Sequence, residues 1–293
     1  MILLSLLLLL ASSSDDGAKF RTDSQVVLVP VTVTDKHGAL VTGLTPGAFT
    51  LTQDNVQQSI TSFGEEDIPA SIGVVLDTSG SMRQVLPQAK TMLRAFFDQC
   101  NPEDEAFLYT VSSRPDIQSP YSSDFGGMIE RTLFFEANGA TALTDTIFAA
   151  VRKSRSGTRA RKALVIISDG MDNHSRYTKA ELMSAAVEAD LQIYSITVFD
   201  PPRNKKPIEL QEERQGLFFL EELSRKTGGL QTVVQNEHDI EKAAAQIGRA
   251  IRNQYVIGYV PGQKDDKWHT IRVKMNLPNT TAWFRSGYLA ANR

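Results

Sequence analysis

Asp77, Ser79 and Ser81 occupy alternate positions in Asp77-Thr78-Ser79-Gly80-Ser81-Met82, directly after the apolar run Ile72-Gly73-Val74-Val75-Leu76. One carboxylate and two hydroxyls on a turn centred on Gly80 collect small, hard oxygen donors. Such donors suit Mg²⁺, Mn²⁺ or Ca²⁺ and suit Zn²⁺ or Cu²⁺ poorly. Two other segments are expected at the same place. One is Gly139-Ala140-Thr141-Ala142-Leu143-Thr144-Asp145, a loop that enters a helix. The other is Ser168-Asp169-Gly170, which ends a second apolar strand. Asp77, Ser79, Ser81, Thr141 and Asp169 together supply two carboxylates and three hydroxyls. That set neutralises a divalent cation, Mg²⁺, Mn²⁺ or Ca²⁺, without closing its shell. Open coordination positions are left for water or for an acidic side chain of a partner.

The elements that would carry these residues alternate in type. After Pro69, strands are expected at Ile72–Leu76, Ala106–Val111, Ala163–Ser168, Leu191–Val198 and Gly229–Val234. Helices are expected at Arg83–Cys100, Ala142–Ser154, Lys179–Ala189, Leu217–Thr227 and Ile240–Asn253. In the last of these Ile240, Ala243, Ala244, Ile247 and Ile251 share one face. Alternation of this kind predicts an α/β fold, a doubly wound, Rossmann-like, mostly parallel sheet with helices on both faces. The runs around Val74 and Val165 lack polar alternation, as strands covered on both sides do. Ligands of such sheets bind outside the carboxyl edge, near the point where strand order reverses.

The flanks read differently. Val27, Val29, Val31 and Val33 alternate with Leu28, Pro30, Thr32 and Thr34, and short strands are expected at Phe49–Thr52 and Ser59–Phe63. Strands return at Tyr255–Val260, His269–Met275 and Thr281–Tyr288. Each β region is too small to bury a good core alone. The expectation is one small β-sandwich, residues 24–66 plus 254–290, into which an α/β domain, 67–253, is inserted. Residues 1–16 carry an apolar run of Ile and Leu broken by Ser12-Ser13-Ser14-Asp15-Asp16, too short to span a bilayer. It reads as a signal peptide, although no Lys or Arg precedes it, and implies an exported protein, periplasmic or at the cell surface. No later segment is apolar enough to span a membrane. Pro201–Gln215 is expected to be an exposed loop or a poorly ordered excursion, and Arg114–Phe125 a second loop that adds specificity with it.

The stretch Asp77–Met82, with Thr141 and Asp169-Gly170, resembles the metal-ion-dependent adhesion site of von Willebrand factor type A domains over residues 70–253. The whole chain is similar to a bacterial exported "VWFA-related" family of acidobacterial type, through Val31–Gly38, Gly43-Leu44-Thr45-Pro46 and Arg285-Ser286-Gly287-Tyr288. That family usually has Gly where Asn55 stands, and Asn tolerates the same left-handed geometry. The resemblance implies that Asp77, Ser79, Ser81, Thr141 and Asp169 bind the metal directly or through water. It also implies that an Asp or Glu of a partner protein completes the shell, in an adhesion or binding module rather than an enzyme.

Other readings compete with it. Asp77, Ser79 and Ser81 are good helix N-caps, Thr141 is a common one, and Asp169-Gly170 is a common turn. Asp172 and Asn173 read as a solvated loop, and Asp145 as a helix-surface or capping residue. A scaffold subunit with a purely structural metal, or a metal-assisted hydrolase, would use the same cluster. Ser79 or Ser81 with His174 and Asp169 would be needed for a serine hydrolase, but no G-x-S-x-G elbow is present. An aspartyl-phosphate enzyme would want a carboxylate where Ser79 stands. No P-loop and no G-x-G-x-x-G occurs. A net charge of -3 argues against nucleic acid, and a single cysteine, Cys100, against a disulfide framework. Arg152, Lys153, Arg155, Arg159, Arg161 and Lys162 read as a solvated loop. Phe96, Phe97, Phe134 and Phe135 read as core or edge packing.

Overall fold

The structure, a computed structural model, describes residues 26–198, 207–262 and 265–290. The expected signal segment, residues 1–16, lies outside the described residues. Among those described, no helix is long and apolar enough to cross a membrane.

The centre of the molecule is a six-stranded sheet. Its strands are β5 (Ala70–Asp77), β6 (Glu105–Val111), β7 (Pro115–Ser122), β8 (Arg161–Ser168), β9 (Gln192–Val198) and β10 (Gln231–Val234), in the order β10-β9-β8-β5-β6-β7. Every pairing is parallel except β6 with β7. All eight residues of β5 are buried, because helices cover both faces. On one face α1 (Leu86–Phe97) and α6 (Ile240–Arg252) enclose Ile72, Val74, Met92, Phe96 and Ile247. On the other, α3 (Leu143–Ser154), α4 (Lys179–Glu188) and α5 (Pro207–Thr227) enclose Val75, Phe107, Leu164, Ile166 and Leu220. The expected doubly wound α/β fold is therefore present, and the α6 stripe Ile240, Ala243, Ala244, Ile247 and Ile251 is buried throughout.

Segments from the two flanks form two antiparallel sheets. One, in the order β13-β1-β11-β4, uses β1 (Val27–Asp35), β4 (Ser62–Glu66), β11 (Gln254–Tyr259) and β13 (Thr280–Phe284). The other, β14-β12-β2-β3, uses β2 (Phe49–Gln53), β3 (Val56–Gln58), β12 (Trp268–Met275) and β14 (Gly287–Leu289). Their facing side chains make one core, with Val29, Val31, Tyr255 and Ile257 from the first sheet and Phe49, Leu51, Ile271 and Val273 from the second. The strict alternation in β12, exposed then buried, is what one solvated face requires. Asp54 and Asn55 join β2 to β3 with φ of 49° and 67°, both left-handed. A two-residue hairpin turn needs that conformation, and Asn and Asp adopt it at low cost.

Four expectations are corrected. Arg114–Phe125 is mainly the antiparallel strand β7, followed by α2 (Phe125–Thr132). The expected loop Pro201–Gln215 is helical from Pro207, since Pro at the first helical position lacks only an N–H that has no partner there anyway. Residues 201–206 lie outside the described set. Thr281–Tyr288 breaks at Arg285-Ser286 into β13 and β14, where Arg285 pairs with Asp190 and its backbone bridges Thr227. Arg161 is buried, not solvated: Nη1 donates to the carbonyls of Ile251 at 2.9 Å and Arg252 at 2.6 Å. A guanidinium there satisfies the last carbonyls of α6 and complements the negative end of its dipole.

Candidate functional site

Strand order reverses beside β5, because the chain passes first to β6 on one side and later to β8 on the other. Asp77 is the last residue of β5 and Asp169 follows the last residue of β8. The two carboxylates thus leave adjacent parallel strands at the crevice where ligands of open α/β sheets bind.

The turn after β5 is held by its own side chains. Asp77 Oδ1 accepts the backbone N–H of Ser79 at 2.9 Å, and Asp77 Oδ2 accepts the Ser168 hydroxyl at 2.6 Å. Ser79 Oγ and Ser81 Oγ stand 3.1 Å apart. Thr78 turns the other way and donates to the Val111 carbonyl at 2.9 Å. Asp77 and Ser79 are fully buried, while Ser81 is exposed, so the turn opens to solvent on the Ser81 side.

The second loop is bonded to the first. Gly80 N–H donates to the Gly139 carbonyl and Asn138 N–H to the Thr78 carbonyl. Gly139 has φ of +77°, and a Cβ there would meet Ser113 Oγ at 3.0 Å, so glycine serves both the left-handed turn and the close approach. Thr141 is almost fully buried. Its carbonyl accepts the N–H groups of Asn173 and His174, and its N–H donates to Asn173 Oδ1 at 2.9 Å. The third loop is thereby tied to the second. Asp169 Oδ1 accepts Met171 N–H, and Gly170 packs against Gly216 of α5 so closely that a Cβ on Gly216 would lie 2.0 Å from the Gly170 carbonyl oxygen.

The three segments expected to meet do meet. Capping does not account for them: neither the turn at Gly80–Gln84 nor α1 nor α3 has a side-chain N-cap bond. Asp172 and Asn173 are more than solvated loop residues. Asp172 Oδ2 accepts Thr144 N–H at 2.8 Å, which fastens the loop to the start of α3. Asp145 Oδ1 accepts the N–H groups of Arg176 and Tyr177, so it braces the same loop from the helix side. Their positions three to four residues from Thr141 and Asp169 were the only available signal.

Electrostatics sharpen the picture. Burial, and after it the nearby Asp169 carboxylate, push the Asp77 carboxyl up to about 7, against hydrogen bonds from Ser168 and Ser79 that favour its charge. Among the described residues no three His, Cys, Asp or Glu side chains gather in a metal-binding group, so any cation site here depends on hydroxyl donors. Two carboxylates with the hydroxyls of Ser79, Ser81 and Thr141 are the donor chemistry that a hard divalent cation takes. The residues fit such an ion. Among the described residues no hydrogen bond joins the His174 ring to Ser79 or Ser81; the backbone N–H of His174 bonds to Thr141 and Asp172 instead.

Residues 72–171 match the family model of the von Willebrand factor type A domain. An uncharacterized protein of Borreliella burgdorferi is 26% identical over 180 residues, 55% of this chain and 52% of that protein, so the chain spans about half the length of this curated relative. Among solved structures, a von Willebrand factor type A protein from Catenulispora acidiphila is similar with a TM-score of 0.51 and 11% identity, over 94% of this chain and 78% of that one. The conserved hypothetical protein BatB from Bacteroides thetaiotaomicron has the same TM-score at 20% identity, over 62% of this chain and 98% of its own. At these identities the structural likeness concerns the fold. The domain match thus covers about a third of the chain, and the solved structures share its fold.

Proposed function

We propose that this chain is an exported interaction or adhesion module that holds a divalent cation, Mg²⁺ first, with Asp77, Ser79, Ser81, Thr141 and Asp169. In this reading residues 67–253 are the binding domain and residues 24–66 with 254–290 a separate small β domain. When bound, the cation supplies positive charge and an open coordination position for an Asp or Glu of a partner protein. The chain's own residues do the rest. Asp77 is fixed by Ser168 and Ser79, Thr141 by Asn173, and Asp169 by the turn to Met171, so the donors need little reorganisation.

The observation that carries this reading is the complete burial of Asp77 beside Asp169, whose carboxylate raises it further. A buried carboxylate next to another is costly unless it is neutralised or paired. Thermal unfolding with Mg²⁺, Mn²⁺ or Ca²⁺ against chelator, for the wild type and Asp77→Ala, tests it. A ligand that binds only the folded state adds about 2.7 kcal/mol at a hundredfold excess over its Kd. Wild type should show a rise that the variant lacks. No rise with any of the three ions at millimolar concentration would end the metal reading. Acidic peptides that bind only with metal would separate a binding module from a scaffold whose metal is structural.

A further inference from the structure

Phe134 and Phe135 are neighbours with opposite environments. Phe135 packs against the core beneath α1, and its carbonyl accepts Lys90 Nζ at 2.8 Å. Phe134 is 84% exposed and Leu133 68% exposed. Both follow α2, whose last turn continues through N–H bonds from Leu133 to Glu130 and from Phe134 to Arg131. On the far side, the bonds from Asn138 to Thr78 and from Gly80 to Gly139 fasten the same loop to the turn that bears Ser79 and Ser81. Asn138 lies four positions beyond Phe134, a reach of at most about 14 Å.

Single exposed hydrophobics are ordinary. Two adjacent ones are different when the backbone beneath them is pinned at both ends and one pin is the candidate binding turn. The backbone ordering that an interface anchor needs is already made, and only side-chain freedom is left to lose. The rim also bears on what binds. Arg83 follows Ser81 by two residues, Arg114 follows Ser113, and Arg176 closes the loop after Asp169. All three are exposed and hold no ion pair among the described residues. A partner segment that is acidic and also carries bulk apolar surface complements both features.

We propose that Leu133 and Phe134 form an apolar foothold beside the sheet edge, and that the recognised partner segment carries a large apolar side chain a few residues from its acidic one. This rests on the metal-dependent reading above. The foothold supplies discrimination between acidic segments, which a carboxylate on a cation cannot supply by itself.

The test uses the full chain with Mg²⁺ and short synthetic peptides. One peptide has a central glutamate among glycines, and the other has leucine near each end as well. The Leu-bearing peptide should bind at least about ten-fold tighter to wild type. That advantage should vanish in the double variant Leu133→Ser, Phe134→Ser, whose Mg²⁺-dependent thermal rise stays intact and shows that the variant folds and keeps its metal. Equal Mg²⁺-dependent binding of both peptides to wild type overturns the foothold and leaves the metal reading standing. Absence of Mg²⁺-dependent binding by either peptide removes the acidic-partner reading and the foothold with it. A wild-type dimer in solution that the double variant breaks would make the patch a self-contact and also overturn the proposal.

Discussion

Two aspartate clusters in this molecule behave in opposite ways. At the edge of the central sheet, burial and the neighbouring Asp169 push Asp77 up to about 7. In the β-sandwich, Asp54 and Asp265 flank His269, with Oδ2 of Asp54 2.6 Å from Nδ1 and Oδ1 of Asp265 2.9 Å from Nε2. There the bond to His269 leads the causes that draw Asp54 down to about 2, and the bond to Asp54 leads those that raise His269. The residue type is the same. The difference lies in what stands nearest each carboxylate. The sandwich cluster carries its countercharge as an imidazole, whereas Asp77 faces another carboxylate.

The comparison can be broken most severely without touching a carboxylate. Gly216→Val should cost roughly 3 kcal/mol or more in chemical denaturation, because any Cβ there runs into the Gly170 backbone. It should also weaken the metal-dependent thermal rise by displacing the loop that carries Asp169, while leaving the His269 cluster unchanged. Next in size, Asp169→Ala should abolish the metal-dependent gain, about 2.7 kcal/mol at a hundredfold excess of ion. In chelator, Asp77→Asn should unfold at the wild-type temperature or above it, since it removes repulsion between buried carboxylates. A lower unfolding temperature in chelator would show that the charge of Asp77 is stabilising without metal.

The sandwich cluster sets the contrasting case. His269→Ala should cost about 2 kcal/mol, because it strips a buried partner from both aspartates, and added metal should not restore it. The smallest effect is the pH response. His269 has its affinity for protons raised by folding, so its contribution is full below its unfolded value of roughly 6.5 and is lost as pH rises through the higher folded value. Asp54 is lowered, so its contribution is present above roughly pH 4 and is lost as pH falls toward about 2. Nearly half of the Asp54 side chain is exposed, and solvent screening keeps the effect under about 1 kcal/mol. Asp77, raised to about 7, works against stability as pH climbs from roughly 4, so the test belongs in the Asp77→Asn background, where unfolding temperature should be highest between those limits and His269→Gln should flatten its alkaline side.

The parts legible from sequence were those where one physical demand dominates a residue string. Val74 and Val165 sit in apolar runs because both faces of their strands are covered, and the alternation of β1 and β12 reports a single covered face. The Asp77–Ser81 turn, Thr141 and Asp169 are brought to one edge because they follow or precede elements whose order the pattern already implied. What escaped was structure with mixed signals. β7 contains Pro115 and Pro120 and pairs irregularly with β6, so no clean period survives. α2 holds two glycines, and its N-cap is Asp124, which accepts from Gly127. Residues 207–215 are charged and looked like loop, although Glu, Gln and Arg are good helix formers. The bracing roles of Asp145, Asp172 and Asn173 depend on long-range backbone partners that spacing alone does not reveal.

The strand pairing has a mechanical meaning. β4 and β11 lie side by side, with Glu66 opposite Gln254, so the chain enters and leaves the α/β region at neighbouring points. β1 and β13 run antiparallel, with Val31 opposite Phe284 and Asp35 opposite Thr280. Tension applied across Val27 and Phe284 would therefore open that ladder rung by rung, like a zip. It would also load Arg285, next to Phe284, whose contacts with Asp190 and Thr227 tie the ladder to the inserted sheet. Those ties reach the sheet before β9 and β10, whereas the candidate site stands at its carboxyl edge, so the flanking strands would act as the fuse.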